Sequence, residues 1–266
     1  AKEMGATTKF TATQSAEAFN YMAMAGWDSQ QMLDGIEGIL NLAAASGEDL
    51  GTTSDIVTDA LTAFGLKASD AAHFSDVLAQ SAASANTNVS MMGESFKYVA
   101  PIAGAMKYSV EDTSLALGLM ANASVKGSMA GTSLKTALAN MAAPTDKMAT
   151  AMKKYGISLT DSNGNMKTLK GVLDNLRSSL GGLSETEKTA AASTIFGKEA
   201  MSGMLAIINA TESDYNKLAE SINNADGAAS KMSDTMLDNL EGSITLLQSA
   251  MDGVKISFGE RLSPYV

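Results

Sequence analysis

Along most of the 266-residue chain, apolar side chains recur at every third or fourth position. That spacing puts them on one face of an α-helix. Asp28 and Gln31 form a capping-box pattern that opens a helix through Leu42. Ile56, Ala60, Leu61 and Phe64 share one face, and Gly65 follows as a stop. Phe74, Val77, Leu78 and Ser81 make the next face. Leu169, Val172, Leu173, Leu176 and Leu180 make a cleaner one, ended by Gly181 and Gly182. Ser184 and Glu187 form a second capping box. Met201, Met204, Leu205 and Ile208 continue the period, as do Tyr215, Leu218, Ala219 and Ile222. Only three prolines interrupt the chain. The expected fold is all-α, an elongated bundle of many short helices with a long helix at the C-terminus.

One stretch breaks the period. Residues 155–169, YGISLTDSNGNMKTL, carry short β-like flanks around Asn163-Gly164. Asn-Gly suits a type I′ turn because both residues tolerate positive φ, so a small β-hairpin is expected near 157–168. A calcium loop of the EF-hand kind fits poorly. It needs glycine at the sixth position, whereas Gly164 is fourth counting from Asp161.

FNYMAMAG at 19–26 is similar to FKYVAPIAG at 96–104. Leu42, Ala44 and Leu61 match Leu119, Ala121 and Leu138 at the same offset. Residues 1–144 therefore read as a helical domain with an internal duplication, about 19–65 and 96–142; chance likeness in alanine-rich sequence is the alternative. Pro101 should kink or restart its helix. Residues 145–226 read as a hairpin plus helical subdomain, and 227–266 as an amphipathic helix leading toward a coiled-coil rod. In that last segment Met236, Leu240, Ile244, Leu247, Met251, Val254 and Phe258 approximate a seven-residue repeat. Such a stripe serves either a coiled coil, within the chain or between copies, or an ordinary helix against the domain core.

Composition narrows the function. There is no Cys, which removes disulfides and cysteine metal sites. Net charge is -10, which disfavours a phosphate backbone, so nucleic-acid binding is not expected. Charged residues are only 18%, and methionine reaches 18 copies, giving helices with adaptable contacts. The opening AKEMGATTKF has no start Met and no apolar run. Neither a signal peptide nor a transmembrane segment is expected, and the chain reads as a piece of something longer.

Chemistry finds little to work with. His73 is the single histidine and lacks acidic partners at metal-ligand spacing. It reads as a partly exposed structural residue. The segment GSMAGTSLK at 127–135 lacks the lysine a P-loop requires after its second glycine, so Gly127 and Gly131 read as close helix contacts. Trp27 reads as a packing anchor. Glu94-Ser95 resembles the Glu-Ser step of lytic transglycosylases, where the glutamate is a general acid in an apolar pocket. The aromatic sugar-binding residues of those folds are missing nearby, and Glu94 reads more simply as a solvated helix residue. No catalytic, cofactor-binding or metal residue is expected.

Several motifs in order carry a family resemblance. YMAMAGWDSQQMLDGIEGILNLAAASGEDL (21–50), AFGLKASDAAHFSDVLAQ (63–80), NVSMMGESFKYVAPIAGAM (88–106) and MANASVKGSMAGTSLKTAL (120–138) resemble the core region of phage tail tape-measure proteins of the TP901 type. YGISLTDSNGNMKTL and IFGKEAMSGMLAIINA (195–210) continue the likeness to about residue 220. The resemblance implies a structural virion protein, lying in several copies inside the tail tube. It implies a role in setting tail length and release ahead of the DNA at infection. The partners it implies are other copies, the tail tube protein and tail assembly chaperones. Its location would be the virion tail, after assembly in the bacterial cytoplasm. The alternative is a peptidoglycan lytic module using Glu94; a membrane-active helical module is a third reading.

Overall fold

The computed structural model describes residues 1, 4 and 8–262. Among them are fourteen α-helices and no strand. They are α1 (Ala12–Met24), α2 (Ser29–Ser46), α3 (Leu50–Phe64), α4 (Ala71–Ser84), α5 (Val89–Ala105), α6 (Val110–Asn122) and α7 (Ser128–Ala142). There follow α8 (Asp146–Tyr155), α9 (Leu169–Leu180), α10 (Glu185–Phe196), α11 (Lys198–Asn209), α12 (Glu212–Asn223), α13 (Ala228–Leu237) and α14 (Leu240–Leu262). A 3-10 turn at Ala68–Asp70 precedes α4.

Helix starts follow local chemistry. Both expected capping boxes are made: Asp28 with Gln31 at α2, and Ser184 with Glu187 at α10. Each satisfies backbone N–H groups that the first turn leaves orphaned. Thr11 with Gln14 makes a further box at α1. Helix α2 runs past Leu42 to Ser46, where Gly47 takes up positive φ. Helix α5 passes through Pro101 without restarting. Pro101 is exposed and one turn from the helix end, so water can reach the carbonyl that loses its donor.

The expected hairpin at 157–168 does not form. One antiparallel bridge, Thr160 to Met166, is all the pairing present. A type I′ turn needs positive φ at both central residues; Gly164 has it at +83°, but Asn163 does not. Instead the Asp161 carboxylate accepts from the backbone N–H of Asn163 (2.8 Å) and Asn165 (2.9 Å), tightening the loop around itself. The flanks turn Ile157 and Leu159 into the core. Their backbone is met by a helix side chain: Asn175 of α9 accepts from Ser158 N–H and donates to the Gly156 carbonyl.

The chain forms two compact units. The first is discontinuous and consists of residues 1–61, 66–79 and 226–266. Its core includes Ile36, Ile39, Leu42, Phe74, Val77 and Leu78, all fully buried. Helix α13 lies along α2. Helix α2 meets α4 backbone to backbone: a Cβ placed on Gly38 would stand 2.6 Å from the Ala72 Cα.

The second unit is residues 62–65 and 80–225. It is built on the pairing of α5 with α7 and of α7 with α11. Phe96, Phe196, Met92, Leu117 and Met120 fill its interior. The stripe Leu169 to Leu180 is buried at every position expected, and so is Tyr215 to Ile222. In α11 the buried face is rotated: Gly203, Met204, Ile207 and Ile208 point in, while Met201 and Leu205 are half-exposed.

Candidate functional site

The most unusual surface lies on α14. Asn239 caps this helix, its side-chain oxygen accepting from Gly242 N–H at 2.8 Å. The break at Asp238-Asn239 puts Met236 on α13, so the expected apolar stripe is shared between two helices. One face of α14 is docked within its own unit. Gly242 and Ser249 are buried, and the Ser249 hydroxyl donates to the Phe10 carbonyl at 2.7 Å. Ile256, a further two turns along, is half-buried.

The opposite face carries the heptad residues. Ile244 is 47% exposed, Leu247 61%, Met251 52%, Val254 60% and Phe258 66%. Seven-residue steps put residues 242, 249 and 256 on one face and the 3-4 stripe on the other. Of the two uses open to the stripe, packing against the domain core is therefore not the one seen. Scattered exposed apolar residues are ordinary, but five in helical register along one 23-residue helix make a contiguous patch.

The residues singled out for chemistry are not brought together. Glu94 is exposed on α5, beside Gly127. It lacks the apolar enclosure that a general acid needs. Its neighbour Ser95 is buried, and the Ser95 hydroxyl donates to the Gly127 carbonyl at 2.8 Å and the Met91 carbonyl at 3.0 Å. Gly131 packs directly on the Ser95 backbone, the close contact expected of that segment. His73 Nδ1 lies 3.0 Å from Asp226 Oδ1, with the imidazole half-exposed. Trp27 is half-buried and its ring lies over Gly35. Among the described residues no helix is long and apolar enough to cross a membrane.

A cleft of about 430 Å³ opens in the second unit between Leu119, Ala123, Leu205, Ala206, Asn209 and Asp214. Its single carboxylate, Asp214, accepts from the Thr211 hydroxyl at 2.8 Å. Such a lining offers no acid pair for hydrolysis.

Sequence reading missed a polar cluster that ties the second unit together. Lys188 is buried, and its ammonium bridges Glu185 (2.9 Å) and Asn209 (2.8 Å). Arg177 donates to the carbonyls of Ile207 (3.0 Å) and Ala210 (2.6 Å), so two cations clasp the C-terminus of α11. The Arg177 guanidinium also stacks on Tyr215, whose hydroxyl donates to Asp174 at 2.6 Å. Burial and the adjacent Asp174 raise the Tyr215 pKa. Burial is also the main cause of a raised Asp112 pKa, despite the N–H of Lys170 donating to that carboxylate. Apart from Glu185, three residues before Lys188 on the same helix, these partners come from separate segments, so local spacing did not announce them.

Comparison with known proteins places the chain among phage tail proteins. The profile of the phage-related minor tail protein family matches residues 1–197. The chain is similar to the tape measure protein of Pneumococcus phage Dp-1, with 39% identity over 262 residues, covering 98% of this chain and 23% of that protein. It is also similar to the probable tape measure protein of Escherichia phage P2, with 29% identity over 257 residues, covering 96% of this chain and 32% of that protein. The chain thus spans a third or less of the curated relatives it matches. No solved structure matches it.

Proposed function

The chain belongs to the phage-related minor tail protein family, and from that premise we propose that it is a folded, non-catalytic module of a tape measure protein. It resides in the phage tail as a structural component. The longer protein to which such a module belongs sets tail length by its helical reach, since an α-helix adds about 1.5 Å per residue. The same protein leaves the tail ahead of the genome. In-frame deletions in the helical sequence outside this module are expected to shorten tails in proportion. Tails of unchanged length would overturn the ruler reading.

This module associates with further copies of itself through α14, and the tail tube protein and assembly chaperones are its other partners. The observation that carries self-association is the exposed stripe Ile244, Leu247, Met251, Val254 and Phe258 on the face turned away from the unit's core. Desolvating such a stripe drives helix pairing. Sedimentation of the chain is expected to show an oligomer, and a double variant Leu247→Glu, Val254→Glu is expected to be a monomer with unchanged helical circular dichroism. A wild-type chain that sediments as a monomer at high micromolar concentration would remove the proposal.

We further read residues 19–65 and 96–142 as duplicated three-helix frames. Helices α1–α3 and α5–α7 follow the same order, and the matched Leu42 and Leu119, Ala44 and Ala121, and Leu61 and Leu138 are all buried.

A further inference from the structure

We infer that α13 and α14 form a detachable latch, pinned by Asp76, that closes the discontinuous unit. Helix α13 is preceded at its N-cap by Gly227, which has φ +78° and offers no side chain to cap the helix. The cap comes from α4 instead. Asp76 Oδ2 accepts from Gly227 N–H at 2.8 Å, and Asp76 Oδ1 accepts from Ala229 N–H at 2.9 Å. One carboxylate thus takes two orphan donors and sets a negative charge at the positive end of the helix. Three residues earlier on the same face of α4, His73 meets Asp226 at 3.0 Å. The two contacts grip the chain where it re-enters the unit.

Apolar burial adds little to this grip. The buried residues of α13 are Ala228, Ala229 and Ser233, all small. Of its larger apolar side chains Met232 and Leu237 are only half-buried, and Met236 is 53% exposed. Helix α14 adds the buried Ser249 bond to Phe10 and a half-buried Ile256, while Ile244, Leu247, Met251, Val254 and Phe258 face solvent. By contrast α2 and α4 bury Ile36, Ile39, Phe74, Val77 and Leu78 and meet without side chains between them at Gly38. Segments held by few buried apolar contacts open locally, well below the global unfolding free energy. Residues 226–262 are such a segment, and their release uncovers the face of α2 against which α13 lies. The latch does not depend on the assembly partners proposed above.

Native-state hydrogen exchange of the full chain, read by mass spectrometry at increasing urea, tests it. Amides of 228–262 are expected to exchange through an opening that precedes exchange in α2 and α4. Asp76→Ala is expected to speed exchange of 228–237 by roughly tenfold, the effect of losing one helix cap, with 80–225 unchanged. Asp76→Asn, which keeps an acceptor oxygen, is expected to fall between. Exchange of 228–262 only together with α2, or no acceleration in Asp76→Ala, overturns the latch. Should Asp76→Ala not fold, the order of exchange in the wild-type chain decides alone.

Discussion

At the scale of the residue, small side chains do the positioning. Gly131 sits against the Ser95 backbone and Gly203 against the Ser133 side chain. A methyl group at Gly131 would have to push a backbone rather than a flexible tip. Gly131→Ala is expected to destabilise the chain by about 1–3 kcal/mol, the usual cost of overpacking, measured by urea unfolding. Gly253 is the contrasting case, since nothing lies within 4 Å of the space a Cβ would take. There Gly253→Ala is expected to stabilise by about 0.5–1 kcal/mol through helix propensity alone.

Tyr108 provides a pH test at the same scale. Its hydroxyl is buried without a hydrogen-bond partner, and burial pushes its pKa up to about 12. The folded state therefore favours the neutral phenol. That contribution is complete below the unfolded value near 10 and fades as pH rises through about 12. Tyr108→Phe is expected to add about 1 kcal/mol at neutral pH by removing an unsatisfied hydroxyl. Its stability between pH 10 and 12 is expected to fall less steeply than that of the wild type, a slope read from urea midpoints across that range.

Among elements, helix ends were legible and loops were not. The boxes at Asp28 and Ser184 are local, needing only residues three apart, and both formed where the sequence placed them. Ser184→Ala is expected to cost about 1 kcal/mol, with the loss confined in hydrogen exchange to the first turn of α10. The Asn163-Gly164 turn failed as a guide because the bonds made by Asp161 and Asn175 hold the backbone in another arrangement. Asn175 lies on a helix beyond the loop, so its claim on Gly156 and Ser158 could not be seen in the loop's own residues.

The whole molecule is organised by a non-local return of the chain. Residues 80–225 supply nearly all of one compact unit, whereas the other needs both ends of the chain. A fragment spanning 80–225 is expected to unfold cooperatively in urea with the helical content of its segment. A fragment ending at residue 79 is expected to keep its helices but to unfold at lower urea than the full chain, because it lacks α13, which packs against α2. The apolar stripe of α14 belongs to this scale as well. Its period was plain in sequence, but the period is identical for a helix turned inward or outward.

The sequence by itself determined the helices, their caps and the buried stripes of α9 and α12, because each rests on contacts within a few residues. It also determined the family likeness, since ordered motifs survive without coordinates. Tertiary structure alone decided which face of α14 meets solvent and that Asp76 caps a helix 151 residues away. These outcomes depend on which distant backbone or side chain packs against a given surface, and spacing along the chain carries no record of that.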